Sequence, residues 1–368
     1  MNLGVYNQIA AGKCRLISRC GGLETVSIVT IKIDAVISPG SLSDVPETAG
    51  AAERMGFNAV WSPETIHDPF LSGLLTAEHS QRLQFGTAIA VAFARSPTTM
   101  AYTTWDLAKF SGGRFTLGLG TQVKAHIERR FGLEWPDSVI GKLREQIFAI
   151  RAIWNTWQTG EPLRYRGDYY KLTLMSPFFN PGPIDFPDIP IYIAGVNTGL
   201  ARLSGETADG FHVHPLHTRK YLGEILKPAF ESGREKVGRA AGEHTISATV
   251  FVVTSESERG FVRSQIAFYA STPSYLPVMT LHGWGETAQR LTRLAARGKW
   301  SEMPELIDDE MLETFAVVCD QGDLAGMLRK RYMGILDRLH LYKTFVPGEN
   351  DVFWQHLVAG IKRKDNLS

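Results

Sequence analysis

The stretch GGRFTLGLGTQVKAHIERRFG, residues 112–132, joins an apolar run to a Gly-Thr-Gln turn and then to a basic segment that carries a histidine. Residues 114–120 have the apolar density of a buried strand. Residues 138–158, which follow, place apolar side chains on one face of a helix. The stretch therefore predicts one strand–turn–helix unit of an α/β fold.

The same unit recurs on both sides of this stretch. The predicted strands are residues 28–37, 57–61, 82–93, 114–120, 190–195, 209–215, 246–253 and 336–342. Strands that alternate with helices in this number favour an eight-stranded (β/α)8 TIM barrel, with an open doubly wound sheet as the alternative. In a barrel the loops after the strands meet at one mouth, where the chemistry takes place.

Two insertions interrupt the alternation. Residues 160–188 hold five prolines around LRYRGDYYKL, which predicts a small hairpin inserted after strand four. The chain after residue 255 is predicted to be helical to about residue 334, with a helical insert after strand seven at about 272–313. Residues 1–27 lack the apolar core of a secretory signal and are predicted to be an extension, so the barrel domain is expected to span residues 28–368.

Composition limits the partners. The chain has 368 residues and a net charge of +1, so no overall field attracts nucleic acid or an anionic membrane, and no apolar run is long enough to span a bilayer. Its three cysteines form no metal-ligand spacing with histidine and fit a reducing compartment. We therefore expect a cytoplasmic protein with a small-molecule substrate and no metal site.

Predicted strands two, four, five and six end in residues that suit a ligand site. Strand two is followed by SPETIHDPF, which carries Glu64, His67 and Asp68. Glycines 118 and 120 at the end of strand four either let a planar ligand approach the backbone or form a tight turn. The AGVN segment after strand five precedes a helix whose N-terminus suits a phosphate. His212 and His214 end strand six, and we expect at most one of them to face the barrel interior. Converging at one mouth, these loops favour a phosphate-bearing cofactor.

The order of motifs resembles the bacterial luciferase-like superfamily of flavin and deazaflavin oxidoreductases. The resemblance rests on GTAIAVAFARSPTTMAYTTWDLAKFSGGRFTLGLGTQVKAHIERRFG, RGDYYKL and PIYIAGVNTGLARLSGETADGFHVH, and it covers roughly residues 28–345. ETIHDPF and GTQVKAHIERRFG are more similar to the coenzyme F420-dependent branch than to the flavin monooxygenases. The implied fold is a luciferase-like barrel, often a homodimer through helices beside strands two and three.

The resemblance implies three cofactor-binding segments. A bulge in strand three, often with a non-proline cis peptide, supports the cofactor ring, a turn after strand four contacts the cofactor, and a turn after strand five binds its phosphate. The matching residues are Ala88, Ile89 and Ala90, then Gly120, Thr121 and Gln122, then Ala194, Gly195, Val196 and Asn197. Basic Arg95 and Lys124 would favour the acidic tail of F420, or else pair with nearby carboxylates.

Proton transfer is assigned to Glu64, His67 and His126. A glutamate in a semi-apolar pocket serves as an acid or base when its pKa is raised, and histidine titrates near neutrality. Each residue has a structural alternative. For Glu64 and Asp68 the alternative is that they cap the helix that begins near Pro69. For His126 the alternative is that it lies solvated in a charged helix face.

The resulting expectation is hydride transfer between F420 and a small organic substrate of the alcohol, aldehyde or enone type. One alternative is an FMN-dependent monooxygenase on the same barrel, which would receive reduced flavin from a partner reductase. A second alternative is a non-catalytic flavin-binding protein, because fold resemblance alone does not establish turnover.

Overall fold

The computed structural model describes residues 31–239 and 244–363, so residues 1–27 with Cys14 and Cys20 lie outside the described residues. The strands are β1 Lys32–Val36, β2 Ala59–Ser62, β3 Gln84–Thr87, β4 Ala90–Val91, β5 Phe115–Gly120, β6 Tyr165–Arg166, β7 Lys171–Leu172, β8 Ile191–Gly195, β9 Gly210–Val213, β10 Thr245–Val253, β11 Ala316–Val318 and β12 Arg338–Thr344. The helices are α1 Val45–Met55, α2 Pro69–Glu78, α3 Pro97–Ser111, α4 Lys124–Arg129, α5 Val139–Thr159, α6 Thr198–Thr207, α7 Arg219–Tyr221, α8 Lys227–Lys236, α9 Glu256–Ala270, α10 Leu276–Leu281, α11 Gly285–Ala296, α12 Asp309–Phe315, α13 Leu324–Tyr332 and α14 Asp351–Lys362.

Eight parallel strands close into a barrel. Their order is β1, β2, β3, β5, β8, β9, β10 and β12, with β12 paired to β1. Because β10 pairs with β9 on one side and with β12 on the other, this sheet has no open end. The predicted (β/α)8 barrel is confirmed, and the open doubly wound sheet is excluded.

The helices on the outside begin and end at the residues that the sequence indicates. The Ser96 hydroxyl accepts the amide of Thr99, and Pro97 occupies the first turn of α3. Helix α1 ends at Gly56 and α3 at Gly112, both in the left-handed conformation that glycine adopts without a Cβ penalty. These stops return the chain to the barrel after each helix.

Large rings fill the barrel interior where the neighbouring positions are small. A Cβ on Gly86 would stand 2.6 Å from the Trp61 ring, and one on Gly210 would stand 2.6 Å from the Tyr192 ring. Below the mouth the barrel is thus a packed core. The space for a ligand lies above these rings, at the carboxyl ends of the strands.

A buried ion pair joins the first and last barrel strands. The Arg338 guanidinium donates to both oxygens of Asp34, at 2.8 and 2.9 Å, and to Gln84 Oε1 at 2.8 Å. Trp61 Nε1 donates to the same carboxylate at 2.9 Å. Burial opposes the charge of Arg338, but the attraction and hydrogen bonds of Asp34 outweigh it and raise the Arg338 pKa. The pair satisfies both charges inside the barrel.

The structure differs from the predicted helical stretch after residue 255 at one place. Residues 316–318 form β11, which pairs with Phe251–Val253 of β10 beyond the point where β9 ends. This AVV run is too short to show the period of a strand, so the sequence pattern missed it. Residues 160–188 contain the antiparallel β6–β7 hairpin. Within the described ranges, no helix has the length and apolar character needed to cross a membrane.

Candidate functional site

A cavity of about 630 Å³ opens at the carboxyl ends of the barrel strands. Its wall includes Ala88 after β3, Thr249 of β10 and His340 of β12. A larger cavity of about 950 Å³ lies at the outer rim, between α7, β11 and α13, and its lining contains none of the predicted site residues. Because barrel enzymes place their chemistry at the carboxyl ends of the strands, we assign the site to the smaller cavity, called the mouth cavity below.

The bulge of strand three lies at the mouth. The peptide bond between Ala88 and Ile89 is cis, which is the feature that the family resemblance implies at this position. After the bulge, Ala90 and Val91 form β4 and pair with β5. Ala88 lines the mouth cavity, so this bulge faces the space where a cofactor ring would lie.

Glu64 holds this bulge from the neighbouring loop. Its amide donates to the carbonyl of Ile89 at 3.1 Å, and its carboxylate accepts the amide of Val91 at 2.7 Å. The Arg95 guanidinium donates to the same carboxylate oxygen at 2.7 Å and to Asp68 at 2.7 Å. Of the two capping alternatives, Asp68 does cap α2, through the amide of Phe70, whereas Glu64 bonds to the bulge.

The basic rim residues pair with carboxylates. Arg95 is bound to Glu64 and Asp68, but its side chain is only 18% exposed, so this is not the surface pair of the alternative. Lys124 lies 3.6 Å from Glu128 on α4, with two thirds of its side chain exposed. A pair this exposed adds about 0–1 kcal/mol and is easily exchanged for another anion.

The two glycines of β5 face protein atoms. A Cβ on Gly118 would stand 1.9 Å from the carbonyl oxygen of Thr87, and one on Gly120 would stand 2.6 Å from the Ile89 side chain. The tight contact between β3 and β5 therefore requires glycine at position 118, independently of any ligand. Gly120 makes room for the bulge itself.

The turn after β5 has an unusual backbone. Gln122 has φ +58, a left-handed conformation that few residues other than glycine adopt. The side chains of Thr121 and Gln122 are half-buried, and α4 begins two residues later. Such conformations concentrate at functional sites.

The turn after β8 leads into a helix N-terminus. Asn197 caps α6 by accepting the amide of Leu200 at 2.9 Å, and the exposed Thr198 begins the helix. Gly195 pairs with Val213 of β9, two residues before Pro215, which lines the mouth cavity. The remaining predicted residues, Ala194 and Val196, flank Gly195 in the same turn. The turn thus lies on the strand next to the one that leads to Pro215 in the cavity wall.

The two candidate histidines lie away from the cavity wall. His67 is half-buried, and its Nε2 lies 3.3 Å from the carbonyl oxygen of Gly40. His126 is exposed on α4. Among the described residues, the mouth cavity is lined from the strand-two loop by Pro63 and Thr65, not by these histidines or by Glu64. The three proton-transfer candidates therefore do not line the mouth cavity.

The expectation for His212 and His214 is wrong. Residues two apart on a strand share a face, so both rings point inward. His212 is buried between Trp61 and Tyr192, and burial lowers its pKa well below the usual value. His214 lies one layer higher and bonds the Tyr275 hydroxyl at 3.0 Å.

The mouth cavity contains polar residues that the sequence analysis missed. His340 Nε2 lies 2.6 Å from the Thr249 hydroxyl, and burial lowers the His340 pKa to about 4, so the ring is neutral at pH 7. Tyr342 lies two residues further along the same strand face. The alternation of Arg338, His340 and Tyr342 in RLHLY was the available signal, because polar residues at every second position of a barrel strand face its interior.

Comparisons with known proteins agree with this fold. The family model described as luciferase-like monooxygenase matches residues 24–337. An uncharacterized protein of Mycobacterium tuberculosis is 43% identical over 315 residues, which is 84% of this chain and 92% of that protein. An F420-dependent glucose-6-phosphate dehydrogenase of Segniliparus rotundus is 31% identical over 213 residues, which is 54% of this chain and 61% of that enzyme.

A solved structure shows the same fold. The F420-dependent tetrahydromethanopterin reductase of Methanopyrus kandleri superposes with a TM-score of 0.71 at 20% identity, over 91% of this chain and 98% of that chain. The closed barrel, the bulge after β3 and the match of the family model over most of the sequence lead to one conclusion. The chain belongs to the luciferase-like monooxygenase family.

Proposed function

We propose that this chain is an oxidoreductase that transfers a hydride between the deazaflavin coenzyme F420 and a small organic substrate of the alcohol, aldehyde or enone type. The observation that carries the proposal is the mouth cavity, with the Ala88–Ile89 bulge in its wall. F420-dependent enzymes among the relatives and structural neighbours support this cofactor.

The described residues fit such a cofactor. A volume of about 630 Å³ suits a flat ring together with a small substrate. Ala88, Ile89 and Ala90 would support the ring, and the N-terminus of α6 at Asn197 would bind its phosphate. When bound, the deazaflavin would supply the hydride-carrying atom, and the protein would supply orientation and a dry wall.

The protein's own groups would handle the proton at the substrate oxygen. Glu64, His67 and His126 remain the proposed residues, and the structure gives them different surroundings. Glu64 is engaged by two donors and would act mainly by holding the bulge, whereas the His126 side chain is exposed. Replacing each by glutamine and measuring the pH dependence of kcat would separate a proton-transfer role from a positioning role.

The decisive experiment is a titration of the purified protein with oxidised F420 and with FMN, followed by fluorescence quenching. The blocking variant is Thr198→Glu, because a negative charge in the first turn of α6 stabilises the helix yet repels a phosphate. Thr198→Gln, similar in size and neutral, is the matched control. We expect tight F420 binding that weakens at least tenfold in Thr198→Glu and changes little in Thr198→Gln.

Other outcomes favour the alternatives. Preferential FMN binding would favour an FMN-dependent monooxygenase that receives reduced flavin from a partner reductase. Cofactor binding without turnover of any alcohol, aldehyde or enone would favour the non-catalytic flavin-binding protein. Binding of neither cofactor would refute the proposal. A cytoplasmic location and a homodimer complete the proposal, and size-exclusion chromatography with light scattering tests the latter.

A further inference from the structure

One wall of the mouth cavity is formed by α9 and β12. Phe261 and Tyr269 come from α9, and Leu341 and Tyr342 come from β12. Val252 of β10 completes this wall, which lies across the cavity from the Ala88 bulge in the strand order of the barrel. The wall is therefore mainly apolar and aromatic.

The cation on this wall is already neutralised. Lys343 Nζ lies 2.9 Å from Glu258 Oε1, and the other oxygen of Glu258 accepts the amide of Thr254 at 2.7 Å and its hydroxyl at 3.0 Å. Burial opposes the charge of Glu258, but these partners outweigh it and lower its pKa. Among the described residues that line the cavity, Lys343 is the one permanent cation, and its charge is matched inside the wall.

Two hydroxyl groups on the same wall have a fixed hydrogen-bond direction. The Tyr342 hydroxyl donates to Gln265 Oε1 at 2.9 Å, and the Tyr269 and Tyr342 oxygens lie 2.8 Å apart. Since the proton of Tyr342 is used for Gln265, Tyr269 donates to Tyr342. The Tyr269 oxygen keeps its lone pairs for a further partner, which must be a donor.

We propose that the substrate held by this wall is an uncharged, mainly apolar alcohol whose hydroxyl donates to Tyr269, and that the Lys343–Glu258 pair denies a counter-charge to substrates that carry phosphate or carboxylate. The inference rests on the proposed function and specifies its substrate class. An anion in this cavity would lose its hydration without gaining a free cation, whereas an alcohol would find an acceptor and apolar surface.

The test compares two ligands of the same shape, cyclohexylmethanol and cyclohexanecarboxylate, by calorimetric titration of the F420-loaded protein. We expect the alcohol to bind at least tenfold more tightly than the carboxylate. In Glu258→Gln, which releases Lys343 while keeping an acceptor for the Thr254 amide, the carboxylate should bind at least tenfold more tightly than to the wild type. The affinity for the alcohol should change less than threefold.

Two further variants act as controls. Adding Lys343→Met to Glu258→Gln should abolish the gain for the carboxylate, because the released cation is then gone. Tyr269→Phe should weaken binding of the alcohol about fivefold and leave binding of the carboxylate unchanged. A wild-type protein that binds the carboxylate as tightly as the alcohol, an unchanged ratio in Glu258→Gln, or no binding of the alcohol would each overturn the inference.

The same titrations on cofactor-free protein separate the two proposals. Failure of F420 to bind, with the ligand ratios as expected, would refute the cofactor assignment and leave the character of the wall established. Tight F420 binding with the ratios reversed would refute only the substrate class.

Discussion

Substitution of Glu64 by glutamine distinguishes a positioning residue from an acid or base. In the structure two donors, the Val91 amide and the Arg95 guanidinium, end on one carboxylate oxygen at 2.7 Å each. Only 7% of the Glu64 side chain is exposed, so solvent screens these bonds little. Because Glu64 does not line the mouth cavity, we expect its substitution to act mainly on the bulge.

The magnitude follows from the two bonds. A hydrogen bond to a charged acceptor contributes about 1.5–3 kcal/mol, and one to a neutral acceptor about 0.5–1.5 kcal/mol. Exchanging the carboxylate for an amide oxygen weakens both bonds by about 1 kcal/mol each, so Glu64→Gln should lose about 2 kcal/mol of stability. Arg95 keeps Asp68 as a partner, which prevents a larger loss.

The assay is urea unfolding together with titration by F420 and steady-state kinetics. The matched control is Asp68→Asn, which removes the other carboxylate bound to Arg95 but keeps an N-cap for α2. With 41% of its side chain exposed, Asp68 should contribute less than about 1 kcal/mol. We expect Glu64→Gln to bind F420 more weakly and to retain measurable kcat. Unchanged stability and cofactor binding with a 10²-fold or greater loss of kcat would refute this reasoning and establish acid–base catalysis.

Two further predictions concern the barrel. Gly118→Ala should destabilise the fold by roughly 3 kcal/mol in urea unfolding, because the added methyl meets the backbone carbonyl of Thr87 at 1.9 Å. The second prediction is that the free energy of unfolding decreases as the pH is lowered. Burial lowers the pKa of His217 to about 4, so between pH 6.5 and 4 the unfolded chain takes up a proton that the folded chain refuses. This residue alone should remove up to about 1.4 kcal/mol per pH unit in that window, and His217→Asn should make the slope shallower by that contribution.

Matched controls sharpen both predictions. Gly326→Ala, in α13 with nothing within 4 Å of the added methyl, should stabilise the helix by about 0.5–1 kcal/mol. Equal losses for the two glycines would contradict the packing argument. His79→Asn, at an exposed position, is the matched control for the loss of a histidine. A His217→Asn protein with the wild-type slope would show that other groups govern the acid sensitivity.

The sequence determined the order of elements because local signals specify them. Glycine and proline at helix ends, such as Gly56 and Pro97, act through backbone conformation and need no distant partner. The strand-three bulge and the turns after strands four and five were located by their resemblance to a family. Strand prediction depends on the periodicity of apolar residues, and the three residues of β11 are too few to show it.

Only the tertiary structure decided which side chains meet. Glu64 and Val91 are 27 residues apart, and their bond exists because β2 and β3 lie side by side. The Lys343–Glu258 pair joins positions 85 residues apart, where a strand end meets a helix start. Sequence periodicity fixes the face on which a residue lies, whereas contacts across a barrel arise only when closure brings distant strands together. The character of the mouth cavity is therefore a property of the closed barrel.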